Sequence, residues 1–175
     1  VLFPRFPNDA KEQAISNDQL IAIGLNASPG AATGKAYFNA DRAEAAATQG
    51  ETVILVRPET SPDDIHGILP SAGLLTLRGG ITSHAAVVTR GTGKPCVVGC
   101  EDIIFDDATE TISRGKHIVK EGDLISIDGN TGEVFIGELK QIHPSLDENK
   151  ELNILLAWSD KYRKLGVRGN ADTPE

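Results

Sequence analysis

At 175 residues, 39% hydrophobic and 24% charged, the chain is long enough to bury one sizeable core. Its net charge of −8, with no Lys/Arg cluster, excludes a nucleic-acid grip through a basic surface. No apolar run approaches the roughly 20 residues of a membrane span and no charged-then-apolar leader stands at the start, so a soluble, cytoplasmic protein is expected.

Residues 1–20 read as an N-terminal linker, because Phe3-Pro4-Arg5-Phe6-Pro7 is punctuated by prolines and polar residues follow. There is no methionine, not even at position 1, and the chain stops at Asp172-Thr173-Pro174-Glu175. Both features read as a segment of something longer. A folded domain is expected over 21–140. It opens with the apolar run Ile21 to Leu25 and the turn-rich Asn26-Ala27-Ser28-Pro29-Gly30. Lys35 to Phe38 reads as a strand, and Asp41 to Thr48 as an Ala-rich helix with Asp41 at its start.

Thr52 to Val56 is apolar throughout and predicts a strand covered on both faces. Thr60-Ser61-Pro62-Asp63-Asp64-Ile65 predicts a helix start, with a hydroxyl cap, proline at the first helical position and acids in the first turn. Leu74 to Leu77 predicts a buried strand leading through a glycine turn into a helix that ends at Gly91 and Gly93. Cys96-Val97-Val98 returns as a strand. Cys96 and Cys100 lack the companions of a zinc site and read as small buried residues in a reducing compartment.

Short alternating strands follow at Glu110 to Ser113, His117 to Lys120 and Leu124 to Asp128. The turn Gly129-Asn130-Thr131-Gly132 then leads into Glu133 to Ile136 as a hairpin. Strand–helix–strand units followed by antiparallel strands predict a compact mixed α/β domain. Over 141–175, Leu152, Leu155, Leu156, Ser159, Tyr162 and Leu165 trace one helical face that Trp158 widens, expected to dock on a further domain.

The chemistry concentrates in Leu77-Arg78-Gly79-Gly80-Ile81-Thr82-Ser83-His84-Ala85-Ala86-Val87-Val88-Thr89-Arg90. Backbone N–H groups at a helix start lack intrahelical partners and carry partial positive charge, so they hold phosphate without a metal. Thr82 is placed as the N-cap, with Ser83 and His84 in the first turn. A histidine there keeps a ring-nitrogen lone pair with which to attack phosphorus, and can hold the phosphoryl group afterwards. Arg78 and Arg90 flank the site as partners for phosphoryl oxygens, and Gly79 and Gly80 let the backbone approach. No phosphate-binding Gly-x-x-x-x-Gly-Lys loop and no Gly-x-Ser-x-Gly elbow competes. His66, His117 and His143 read as surface or structural.

Gly79 to Val88 with Arg90, followed by Pro95-Cys96-Val97-Val98-Gly99, resembles the phosphohistidine swivelling domain of enzymes that use phosphoenolpyruvate. Ala27 to Gly34, Val56 to Asp64 and Val167 to Pro174 are most similar to the pyruvate phosphate dikinase branch. The resemblance implies a β/β/α swivelling domain with flanking linkers, set between an N-terminal ATP-binding domain and a C-terminal barrel that binds phosphoenolpyruvate and pyruvate. It implies that His84 is the carrier, that the intact enzyme is a homo-oligomer, and that magnesium belongs to the partner domains while this domain binds no cofactor. It also implies a regulatory phosphorylation site at Thr82 and a phosphoenolpyruvate contact at Arg168, which is followed by Gly169 where the family has a threonine-like residue.

The residues leave three readings open. One is this dikinase branch; another is pyruvate–water dikinase or the first enzyme of the sugar phosphotransferase system, which resemble the chain less at Ser83 and Gly99-Cys100. The third is an interaction module that has lost the chemistry, against which the intact Thr82-Ser83-His84 and Arg90 weigh.

Overall fold

The computed structural model describes residues 3–143, 150–164 and 166, and the chain divides into one compact unit over Phe3–His143 and a second from Pro144 onward. The first unit begins with helix α1 (Asn8–Ser16) and strands β1 (Leu20–Ile23), β2 (Leu25–Ser28) and β3 (Ala31–Tyr37). Helix α2 (Ala40–Thr48), strand β4 (Val53–Arg57), a 3-10 turn at Pro62–Asp64, helix α3 (Ile65–Ile68) and strand β5 (Gly73–Thr76) follow. Next come helix α4 (His84–Thr92) and strands β6 (Cys96–Val98), β7 (Ile104–Asp106), β8 (Thr111–Arg114), β9 (His117–Lys120), β10 (Leu124–Asp128) and β11 (Glu133–Ile136). The described element of the second unit is helix α5 (Lys150–Tyr162).

An eight-stranded sheet runs in the order β1-β11-β10-β3-β4-β5-β6-β2, and β7-β8-β9 form a separate antiparallel sheet. The neighbours β3, β4, β5 and β6 are parallel, with Leu55 opposite Leu74 and Leu75 opposite Val97. Strand alternation explains the layering, because successive side chains point to opposite faces. Ile54, Val56, Leu75 and Val97 join Ile112 and Val119 of the small sheet in one cluster. Val53, Leu55, Leu74 and Val98 join Ala43 and Ala46 of α2, Ile68 of α3 and Ala85 and Ala86 of α4 in another. The architecture is thus β/β/α, and Val53–Val56 is buried on both faces, as a wholly apolar run requires.

The first twenty residues differ from the linker expected of them. Phe6 and Ala14 are buried with Ala31, Phe135 and Leu139. Lys11 Nζ lies 2.9 Å from Asp128 Oδ2 and also pairs with Glu133, and Arg5 and Ile142 form a reciprocal backbone bridge. The prolines break the local pattern there, yet Phe6, Ala14 and Lys11 find partners more than a hundred residues away. Helix α2 is capped by Asn39, whose side chain accepts from Arg42 N–H at 3.1 Å, so the cap stands two residues before Asp41. Strands β2 and β7 also lie where no strand was predicted. In the second unit α5 carries Leu155, Leu156, Trp158 and Tyr162, all exposed. Leu165, expected on the same face, lies outside the described residues.

Candidate functional site

Parallel strands end their ladders at one edge of the sheet, and ligands of open α/β sheets bind outside those carboxyl ends. His84 stands there, in the connection from β5 to α4. After the strand, Leu77 is buried and Arg78 is exposed. Thr76, itself buried, donates its hydroxyl to the Arg78 carbonyl at 2.8 Å and so folds the chain out of the sheet. Gly79 then takes φ +100°, a left-handed conformation that side-chain-bearing residues avoid. Gly99, at φ +70°, backs the same turn: a Cβ there would stand 2.9 Å from the Gly79 carbonyl oxygen.

The helix start differs by one residue from expectation. Ser83, in extended backbone, is the N-cap: its hydroxyl oxygen accepts from Ala86 N–H at 3.4 Å, and its carbonyl accepts from Val87 N–H at 3.1 Å. Thr82 is exposed and lies outside the helix, because the Ser83–Gly80 backbone bond at 2.9 Å closes a turn across it. His84 is therefore the first helical residue, where the N–H groups of the first turn have no carbonyl to bond. Ala85 and Ala86 are buried and root the helix in the core. Thr89, also buried, donates to the Ala85 carbonyl at 2.7 Å.

The His84 ring is half-buried, and its Nε2 is shielded from solvent with no hydrogen-bond partner among the described residues. It borders a cleft of about 110 Å³ lined also by Arg78, Gly79, Ser83, Ala85, Glu59, Thr60 and Thr76. Of the residues singled out in the sequence, Arg78, Gly79, Ser83 and His84 meet in this cleft, whereas Gly80, Thr82 and Arg90 lie outside its lining. Arg90 donates from Nη2 to the Ile81 carbonyl and so ties the last turn of α4 to the glycine loop. Arg168 lies outside the described residues. Glu59, Thr60 and Thr76 were not anticipated as site residues. The strand pairing that brings Arg57 opposite Thr76 is what delivers them, and no local motif announces it.

Cys96 and Cys100 are buried, and burial pushes their thiols up to about 11 and about 12, which keeps both protonated and unreactive. His66 Nε2 lies 3.0 Å from Asp41 Oδ1 and His117 Nε2 3.2 Å from Asp18 Oδ2, and neither histidine lines the cleft. No helix among the described residues is long and apolar enough to cross a membrane.

Residues 49–132 match the family described as the mobile domain of PEP-utilising enzymes. The chain is 50% identical over 162 residues to pyruvate, phosphate dikinase of Clostridium symbiosum, covering 93% of this chain and 18% of that protein. It is 48% identical over 175 residues to pyruvate, phosphate dikinase 2 of Zea mays, covering 100% of this chain and 19% of that one. It therefore spans less than a fifth of the length of these relatives. A solved structure of the N-terminal domain of Enzyme 1 - Nitrogen aligns with a TM-score of 0.37 at 20% identity, over 61% of this chain and 37% of that one.

Proposed function

Since the chain belongs to the PEP-utilising enzyme family, with its residues 49–132 as the mobile domain, we propose that it is the phosphocarrier segment of a pyruvate phosphate dikinase. In the intact enzyme ATP, inorganic phosphate and pyruvate become AMP, pyrophosphate and phosphoenolpyruvate. His84 takes a pyrophosphoryl group from ATP at an N-terminal nucleotide-binding domain, and AMP leaves. The terminal phosphoryl then passes to inorganic phosphate, giving pyrophosphate. The phosphoryl that remains on the ring passes to pyruvate at a C-terminal barrel, where Arg168 contacts phosphoenolpyruvate.

The observation that carries this reading is the unpartnered, shielded Nε2 of His84 at the first position of α4, facing a cleft that Arg78 shares. Attack by that nitrogen on phosphorus forms the N–P bond as the bond to the leaving oxygen breaks. The phosphoryl oxygens then meet the Arg78 guanidinium, the Ser83 hydroxyl and the amides of the first helical turn. Arg90 and Gly80 act through the loop, the former by holding the Ile81 carbonyl. The magnesium that ATP chemistry needs is assigned to the partner domains of the intact enzyme.

The donor and acceptor sites lie on different domains, so the packed unit Phe3–His143 swings as one body between them. We propose the cytoplasm as its compartment, which protonated, unpaired Cys96 and Cys100 suit, and a homo-oligomer as the state of the intact enzyme. Thr82, exposed in front of His84, is accessible for a regulatory phosphate whose charge would repel a second one on the ring.

The test is intact-mass spectrometry at alkaline pH after mixing the chain with phosphoenolpyruvate and the separately expressed barrel. One acid-labile phosphoryl adduct is expected on the wild type and none on His84→Asn. An adduct that persists on the variant overturns the assignment.

A further inference from the structure

The ladder between β4 and β5 continues past both strands: Leu77 N–H donates to the Arg57 carbonyl at 3.1 Å, and Arg78 N–H to the Pro58 carbonyl at 2.9 Å. This register carries Glu59 and Thr60, just beyond β4, into the lining of the cleft that His84 also borders. The loop that holds them is pinned. Ser61 N–H donates to Asp64 Oδ2 at 2.7 Å, and Arg57 Nε sits 3.3 Å from Asp64 Oδ1.

Ser61 and Asp64 thus meet the capping needs of the 3-10 turn at Pro62–Asp64, which leaves the Thr60 hydroxyl with no structural duty. Neither the Thr60 hydroxyl nor the Glu59 carboxylate makes a hydrogen bond or ion pair with a described residue. Two unbonded polar side chains on a fixed loop therefore share about 110 Å³ with a shielded, unpartnered ring nitrogen.

We propose that Thr60 is a phosphoryl-binding residue of this cleft and that Glu59 beside it is an opposing charge, an inference that rests on the reading of His84 as the phosphocarrier. A phosphoryl group on Nε2 directs its oxygens into the cleft. Arg78 contributes positive charge from the β5 side and Thr60 an O–H donor from the β4 side, which favour the dianion. Glu59 disfavours it by like-charge repulsion. The wall thus holds the group in place and keeps it from becoming too stable to pass on. The ionisable side chains lining the cleft are Glu59, Arg78 and His84.

The experiment uses the whole chain, phosphorylated chemically with phosphoramidate, whose P–N bond breaks as the bond to Nε2 forms and ammonia leaves. Titration of the phosphohistidine signal by phosphorus NMR then reads the ionisation of the phosphoryl group itself. Thr60→Val should raise its midpoint by about one pH unit, the worth of a hydrogen bond to an ionised oxygen. Thr60→Ser should keep the wild-type midpoint, and Glu59→Gln should lower it.

A Thr60→Val titration that superimposes on the wild type, with circular dichroism unchanged, overturns the role of Thr60. Shifts of the same sign in Thr60→Val and Glu59→Gln overturn the opposition of the two. A wild-type chain that gives no phosphohistidine signal beyond that of His84→Asn defeats the carrier reading instead, and this inference with it.

Discussion

His84 owes its position to three neighbouring residues. Ser83 caps the helix, Gly79 supplies the left-handed turn before it, and Gly99 leaves room for that turn's carbonyl. Ser83→Ala should cost about 1 kcal/mol in urea unfolding, the usual worth of an N-cap hydroxyl, whereas Thr82→Ala should stay within about 0.5 kcal/mol. Gly99→Ala should be worse on two counts. It forces a Cβ to φ +70° and against the Gly79 oxygen, so a loss of about 1–3 kcal/mol is expected together with slower phosphorylation of His84. Normal phosphorylation in a destabilised Gly99→Ala chain would show that the turn tolerates the displacement. The glycine turn and the helix start that holds His84 were legible in the sequence, because a glycine turn followed by a hydroxyl cap and an apolar run is a local signal. The choice of Ser83 over Thr82 as cap was not: both hydroxyls suit the position, and the Ser83–Gly80 turn decides between them.

Elements with a single strong period were equally legible. Val53 to Val56 could only be a strand buried on both faces, and Leu55 does sit between Ala43, Ala46, Ile68 and Leu74. Leu55→Ala should therefore cost about 2–5 kcal/mol, measured by thermal or urea unfolding, with m unchanged. Helix α4 shows the opposite relation of pattern to role. Its buried face is made of Ala85, Ala86 and Thr89, small residues that bring the helix close to β5 and β6 and leave its first turn at the sheet edge. Strand β7 escaped prediction because its outer residue Ile104 is exposed and it has only three residues. It exists by pairing with β8, where Phe105 faces Ile112.

At the scale of the molecule, the decisive contacts join the ends of the unit Phe3–His143. Lys11 is a small part of α1, yet it bonds both Asp128 and Glu133 on the β10–β11 hairpin. Burial works against its charge, but the hydrogen bonds to Glu133 and Asp128 outweigh it and hold the ammonium above its ordinary value of 10.5. A group raised in the folded state stabilises fully below the unfolded value and loses that contribution as pH climbs through the folded one. Lys11→Met should thus be destabilised relative to wild type at pH 7, and the difference should shrink as pH rises past 10.5. A pH-independent difference would mean the lysine stem matters and its charge does not. Phe6→Ala should cost about 3–5 kcal/mol, which no residue of a free linker would. With Arg5 bonded to Ile142, the two ends of the unit run side by side.

The sequence by itself determined the main apolar strands and the glycine turn that sets His84 at a helix start. Period-2 apolar runs, glycine turns and one histidine at a helix start are local signals, each settled by a handful of neighbours. Only the tertiary structure decided what shares the cleft with His84 and what becomes of the first twenty residues. Glu59 and Thr60 reach the cleft through the β4–β5 register, and α1 finds its place through Phe135, Asp128 and Glu133. Both results depend on pairing between segments far apart in the chain, and a contact of that kind leaves no periodic trace in either partner.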